Sequence, residues 1–220
     1  MSRGLFITFE GSEGCGKSTQ VQRLAARLEK SGLEFILTRE PGGTPIGEKI
    51  RDLLQFAPES VAMQPETELL LFEASRSQLV REVIEPALTR GALVISDRFY
   101  DSTTVYQGVA RRLDPEVVAH LNQFAVGARR PDVTLILDVD VKTARARMLR
   151  RVRPVTAPDR MEQEPTEFYE RVCVAYRELA AREPERMHLI NGARSPDEIE
   201  AEIWQLLARK ISSRGQPGKL

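Results

Sequence analysis

Sulfur, net charge and long apolar runs are all scarce in this 220-residue chain. The two cysteines, Cys15 and Cys173, lie far apart and in no metal-ligand spacing, which excludes a disulfide framework and a cysteine zinc site and suits a reducing compartment. The N-terminal MSRGLFITFEG holds one Arg and an apolar stretch too short for a signal core or a bilayer span, so a soluble, cytoplasmic protein is expected. With 32 basic and 32 acidic residues the formal charge is +0. No global field therefore recruits nucleic acid or an anionic membrane, and any anion site must be local. Lysine is scarce as well: 26 of the basic residues are Arg and 6 are Lys.

What is present is 41% hydrophobic sequence, enough for one sizeable core and too little for two full domains. Short apolar runs rich in Ile, Leu, Val and Phe predict strands at Leu5–Glu10, Glu34–Glu40, Ala92–Asp97, Asp132–Asp140 and Arg186–Asn191. Helical patterns fill the intervals, at Lys17–Ser31, Thr44–Leu54, Thr67–Leu88, Ser102–Ala110, Pro115–Val126, Val141–Arg151, Thr166–Glu183 and Ser195–Ile211. Strands alternating with helices predict an α/β fold with a parallel sheet covered on both faces. Residues 1–211 read as one domain. Within it, 150–165 form a basic, Pro-containing loop with Arg150, Arg151, Arg153 and Arg160, and 212–220 form a polar tail expected to be disordered.

In such sheets, ligands gather outside the carboxyl ends of the strands, so the residues following each strand carry the argument. After the first strand, Gly11-Ser12-Glu13-Gly14-Cys15-Gly16-Lys17-Ser18 fits G-x-x-x-x-G-K-[ST] between a strand and a helix. The glycines allow a tight turn whose N–H groups face inward, and the helix N-terminus favours phosphate. Gly11 through Thr19 are therefore the candidate ATP-binding residues, with Lys17 on the outer phosphates, Ser18 on Mg²⁺ and Cys15 a small filler. Neither D-x-x-G nor N-K-x-D occurs, so guanine-reading switch chemistry gives way to a kinase.

After the third strand come Asp97 and Arg98, a carboxylate able to act on Mg²⁺ beside a guanidinium able to hold phosphate; a surface ion pair or helix cap is the plainer alternative. After the second, Pro41-Gly42-Gly43 makes a turn and Thr44 caps a helix carrying Arg51. Phe72 and Arg76, four apart, share a helix face suited to stacking on a base and bonding its carbonyl edge, although core packing and a solvated charge would explain each alone.

Taken together, FEGSEGCGKSTQ, TREPGGT, EKIRDLL, LLLFEASRSQ, DRFYDST with YQG, PDVTLILDVD and DRMEQE resemble bacterial thymidylate kinases over almost all of residues 3–211. The resemblance implies the P-loop nucleoside monophosphate kinase fold: a five-stranded parallel sheet, helices on both faces, a mobile lid and a homodimer. It implies transfer of the γ-phosphoryl group of ATP to dTMP, with Mg²⁺ and without nucleic-acid or membrane partners. It puts Phe72 on the thymine ring and Arg76 at its O4 edge. Thr103 and Gln107 meet the base edge, Tyr106 lies against the deoxyribose, Arg98 and Arg51 hold the dTMP phosphate, Glu13 lies near the sugar, and Ser18 and Asp97 serve the metal. Glu13 replaces the basic loop residue of some members, which moves the phosphate-neutralising charge to the lid, on Arg153 or else Arg151. Lys17 and Arg98 complete the catalytic set. A deoxynucleoside kinase using Glu40 as base, and a nucleotide-binding regulator without turnover, remain as alternative readings.

Overall fold

The computed structural model describes residues 3–150 and 160–212. Five parallel strands form one sheet in the order β2-β3-β1-β4-β5: β1 Phe6–Glu10, β2 Phe35–Arg39, β3 Leu93–Asp97, β4 Val133–Asp138 and β5 Met187–Asn191. All five lie inside the expected segments. Each is shorter by a residue or more because the outermost residues pass the chain into turns.

The nine α-helices of the described residues are α1 Lys17–Lys30, α2 Pro45–Gln55, α3 Pro65–Leu79, α4 Glu85–Thr89, α5 Tyr100–Thr103, α6 Pro115–Val126, α7 Val141–Arg150, α8 Thr166–Arg182 and α9 Pro196–Ser212. Local chemistry sets several ends. Thr44 caps α2 by accepting from Gly47 N at 3.0 Å, with Pro45 behind it, and Asp114 caps α6 by accepting from Glu116 N at 2.8 Å. Two stretches expected as plain helices contain π-helical turns, Val80–Ile84 before α4 and Thr104–Ala110 after α5. In the first, Pro86 lacks the N–H that a regular helix needs, and the widened turn just before it accommodates the loss. Short 3₁₀ turns at Pro58–Ala62 and Arg160–Gln163 carry no apolar period and escape a periodicity reading.

Strand alternation divides the core. Leu5, Ile7 and Phe9 of the β1 segment face α1 and α9, packing with Leu24, Leu28, Ile203 and Leu207. Phe6 faces the other side, with Leu79, Ile84 and Phe99, while Ile136 of β4 meets Tyr106, Phe168 and Tyr176. Thr8 and Glu10 share the alternation of Phe6, so this second face buries polar groups. Thr8 Oγ1 lies 2.8 Å from Thr134 Oγ1, and Arg186 reaches Asp101 at 2.7 and 3.0 Å beneath the sheet. The parallel registers align the carboxyl ends of β1 and β3, pairing Phe9 with Asp97, and thus gather the loops that follow.

Candidate active site

The turn from β1 to α1 requires its glycines. Gly11, Gly14 and Gly16 have φ of 131°, 73° and 102°. A Cβ on Gly11 would stand 2.5 Å from Leu137 O, and one on Gly14 2.4 Å from Ala144 O, so the loop is seated against the end of β4 and against α7. Lys17 is buried and donates to Gly11 O at 2.9 Å and Ser12 O at 2.8 Å, curling its ammonium over the loop. Cys15 is buried beneath it, as a filler would be. Ser18 Oγ donates to Asp97 Oδ2 at 3.0 Å, so a hydroxyl from α1 and a carboxylate from β3 converge.

Asp97 and Arg98 do not pair with one another in this arrangement. Arg98 N bonds Phe9 O at 2.9 Å, and the residue takes φ 74°, a left-handed backbone that turns its side chain toward the loop. Its guanidinium reaches Glu13 Oε1 at 2.7 Å, Tyr106 Oη at 3.3 Å and Ser102 Oγ at 3.0 Å, and Tyr106 Oη donates to Glu13 Oε2 at 2.8 Å. Beneath this triangle, Glu10 accepts from Phe99 N at 2.8 Å, Ser102 Oγ at 2.6 Å and Tyr176 Oη at 2.8 Å. Burial, then the like charge of Asp101, pushes the Glu10 carboxyl up to about 7. Ser102 thus links Glu10 to Arg98.

Farther from the loop, Arg76 is fully buried with all five N–H donors taken. Nε and Nη2 reach Glu40 Oε2 at 2.9 and 2.7 Å, Nη1 reaches Glu73 Oε1 at 2.6 Å and Asn122 Oδ1 at 3.2 Å, and Nη2 also reaches Thr103 Oγ1 at 2.9 Å. Burial alone would lower its pKa, but Glu40 and Glu73 outweigh that and raise it. Glu40, at the cis Glu40–Pro41 bond, is pushed up to about 7 by burial despite Arg76. Gln107 Nε2 donates to Glu68 Oε1 at 2.6 Å, and Arg51 donates to Pro41 O at 2.9 Å.

A single cavity of about 590 Å³ joins these groups. Glu13, Gly14, Gly16, Lys17, Ser18, Thr19 and Asp97 line one end. Arg51, Phe72, Arg76, Thr103 and Gln107 line the other, with Arg98 and Tyr106 between. Gly11, Ser12 and Cys15 support the loop without lining the cavity. Arg151 and Arg153 lie outside the described residues. Of the neighbouring arginines, Arg150 lines the cavity, whereas Arg160 is held away from it by Glu68 and by Leu54 O at 3.2 Å.

Sequence reasoning passed over Glu10, Ser102, Glu68 and Arg147. Arg147 lines the cavity and donates to Gly192 O at 2.8 Å and Cys15 O at 3.4 Å, tying α7 to the phosphate loop. Glu10 carried a usable signal, an acid closing an otherwise apolar strand; Glu68 and Arg147 sit in charged helical patterns with none. For a divalent cation, Ser18 and Asp97 supply hard oxygen ligands at one point, and among the described residues no group of three or more His, Cys, Asp or Glu could hold a metal. That donor set fits Mg²⁺, which is commonly held by one or two protein oxygens with phosphate and water completing the shell.

The family model described as thymidylate kinase matches residues 9–203. A thymidylate kinase of Pseudomonas putida (strain GB-1) is 49% identical over 204 residues, covering 93% of this chain and 95% of that one. One from Deinococcus radiodurans is 43% identical over 210 residues, covering 96% and 99%. The crystal structure of thymidylate kinase from Ehrlichia chaffeensis superposes with a TM-score of 0.75 at 34% identity, covering 94% of this chain and 99% of that one.

Proposed function

The chain belongs to the thymidylate kinase family, and from that premise we infer that it transfers the γ-phosphoryl group of ATP to dTMP, giving ADP and dTDP. The observation that carries the reading is the continuity of one cavity from Lys17 and Ser18, past Arg98, to Phe72 and Gln107. A phosphate loop alone names a triphosphate, whereas a second cationic station with an aromatic and amide wall beyond it suits a nucleoside monophosphate.

Gly11 through Thr19 hold the ATP phosphates, with Lys17 on the outer ones. Arg98 and Arg51 hold the dTMP phosphate, Phe72 stacks on thymine, Arg76, Thr103 and Gln107 surround its polar edge, and Tyr106 and Glu13 face the sugar. Ser18 and Asp97 hold Mg²⁺, which when bound neutralises phosphate charge. The acceptor phosphate, with a second pKa of about 6, is mostly dianionic at neutral pH and needs no general base. Catalysis is then alignment and charge neutralisation by Lys17, Arg98 and a lid arginine, Arg153 or else Arg151. The domain spans 1–211, with 150–165 as the lid that excludes water on closing. The protein works in the cytoplasm; no helix among the described residues is long and apolar enough to cross a membrane. Exposed Leu70, Val117 and Phe124 on the adjoining helices α3 and α6 support a homodimer.

Coupled ADP release with dTMP, dUMP, dCMP, AMP and thymidine tests the reading. dTMP turns over best, with some dUMP activity tolerated because one methyl discriminates by only about 10–200-fold. Preference for AMP or dCMP refutes the substrate, and preference for thymidine restores the deoxynucleoside kinase, which these relatives do not favour.

A further inference from the structure

Gln107 and Thr103 are the groups at the base end whose hydrogen-bonding polarity is not fixed by their own chemistry. An amide can present either its oxygen or its NH₂, and a hydroxyl can donate or accept. Each is bonded to a buried ion that leaves only one choice. Gln107 Nε2 donates to Glu68 Oε1 at 2.6 Å. Glu68 is an acceptor: although burial alone would raise its pKa, the Arg111 guanidinium, at 3.2 and 3.1 Å, and Arg160 beside it hold it below the usual carboxylate range. Turning the amide over would set its oxygen against that carboxylate. Thr103 Oγ1, in turn, accepts from Arg76 Nη2 at 2.9 Å, and a guanidinium cannot accept, so the hydroxyl proton points elsewhere. Both residues line the cavity, and among the described residues nothing donates to Gln107 Oε1.

The base end of the cavity is thus offered one donor, Thr103 O–H, beside one acceptor, Gln107 Oε1. Thymine and uracil present the complement, a C4 carbonyl beside N3–H; cytosine presents the inverse, an amino group beside an N3 lone pair. We infer that Glu68 is a positioning residue that fixes the Gln107 amide with its oxygen toward the base and thereby enforces rejection of cytosine nucleotides. This deepens the dTMP reading and rests on it. Arg76 performs the corresponding service for Thr103, with its own five donors committed to protein acceptors.

The test is the ratio of kcat/KM for dTMP to that for dCMP in wild type, Glu68→Gln and Glu68→Asp. A carboxamide at 68 can donate as well as accept and so releases Gln107, while aspartate keeps the charge for Arg111 and Arg160 but withdraws it by one methylene. The ratio falls about tenfold or more in either folded variant, as expected when a polar site loses its fixed complement. Arg111→Met, which removes the stronger of the two cations that keep Glu68 an acceptor, lowers the ratio in the same direction. Should Glu68→Gln not fold, Glu68→Asp decides. A folded Glu68 variant in which dTMP and dCMP turnover fall in parallel overturns the inference, as does a wild type that uses dTMP and dCMP equally. A wild type inactive on dTMP overturns the dTMP reading instead.

Discussion

Arg98 couples a strained backbone to the proposed grip on the dTMP phosphate, and two substitutions separate the two. At φ 74° any residue with a Cβ is disfavoured, by about 1–2 kcal/mol. Arg98→Ala and Arg98→Gly remove the same guanidinium, with its bonds to Glu13, Tyr106 and Ser102, and keep the Arg98 N to Phe9 O bond. They differ in that only Ala retains the strain. Glycine gives back about 0.4–1 kcal/mol through a freer unfolded chain. Arg98→Gly is therefore the more stable of the two by roughly 0.5–1 kcal/mol, or about 1–4 °C in Tm for a chain of this size. For activity, losing the two hydrogen bonds proposed to the dTMP phosphate, each worth about 1.5–3 kcal/mol, lowers kcat/KM for dTMP by about 10²–10⁴-fold in both variants. Thermal denaturation monitored by circular dichroism and coupled ADP release measure the two quantities. Equal stabilities, or a more stable Ala variant, refute the strain argument; a loss of activity below about tenfold refutes the phosphate assignment.

Gly14→Ala brings a Cβ to 2.4 Å from Ala144 O at a φ of 73° and must push α7 off the phosphate loop. ATP titrations in the kinase assay should show kcat/KM for ATP reduced by at least about tenfold, with the folded circular-dichroism spectrum retained. The Glu10 carboxyl, raised from 4.5 to about 7, binds its proton more tightly folded than unfolded. Its stabilising contribution is thus present below its unfolded value and lost as pH rises through about 7. Relative to Glu10→Gln, the wild type loses about 2–3 kcal/mol between pH 5 and 8 in urea titrations, and a gap that does not change with pH refutes the assignment. Phe124, 76% exposed on α6, is placed in the proposed dimer contact; Phe124→Asp should shift the mass seen by light scattering from two chains toward one.

The phosphate loop was legible because its chemistry is local: three glycines, a lysine and a serine at fixed spacing between an apolar run and a helical pattern. The strands were legible for a similar reason: burial on both faces leaves runs of Ile, Leu, Val and Phe in β1, β3 and β4, and the half-exposed edge strands β2 and β5 keep shorter apolar stretches. Thr103, Tyr106 and Gln107 were named through resemblance alone, because a hydroxyl or an amide on a helix has no spacing that reveals a ligand, whereas Phe72 was singled out by its four-residue step from Arg76. Arg76 shows the limit. Its place on the face of Phe72 follows from a four-residue step, but its five hydrogen bonds go to four acceptors, on Glu40, Glu73, Thr103 and Asn122, from four separate segments. Arg160 shows it again: it belongs by sequence to a basic cluster, yet it is drawn to Glu68.

The sequence by itself determined the element order, the parallel sheet, the nucleotide-triphosphate turn and the family, because each rests on residues close along the chain or on an ordered set of motifs. Only the tertiary structure decided which polar groups meet: Glu10 beneath Arg98, Glu13 against Tyr106, Glu68 against Gln107. Those pairings join residues from 39 to 93 positions apart, and their strength depends on burial that the parallel packing of β1 and β3 and the helices over them creates.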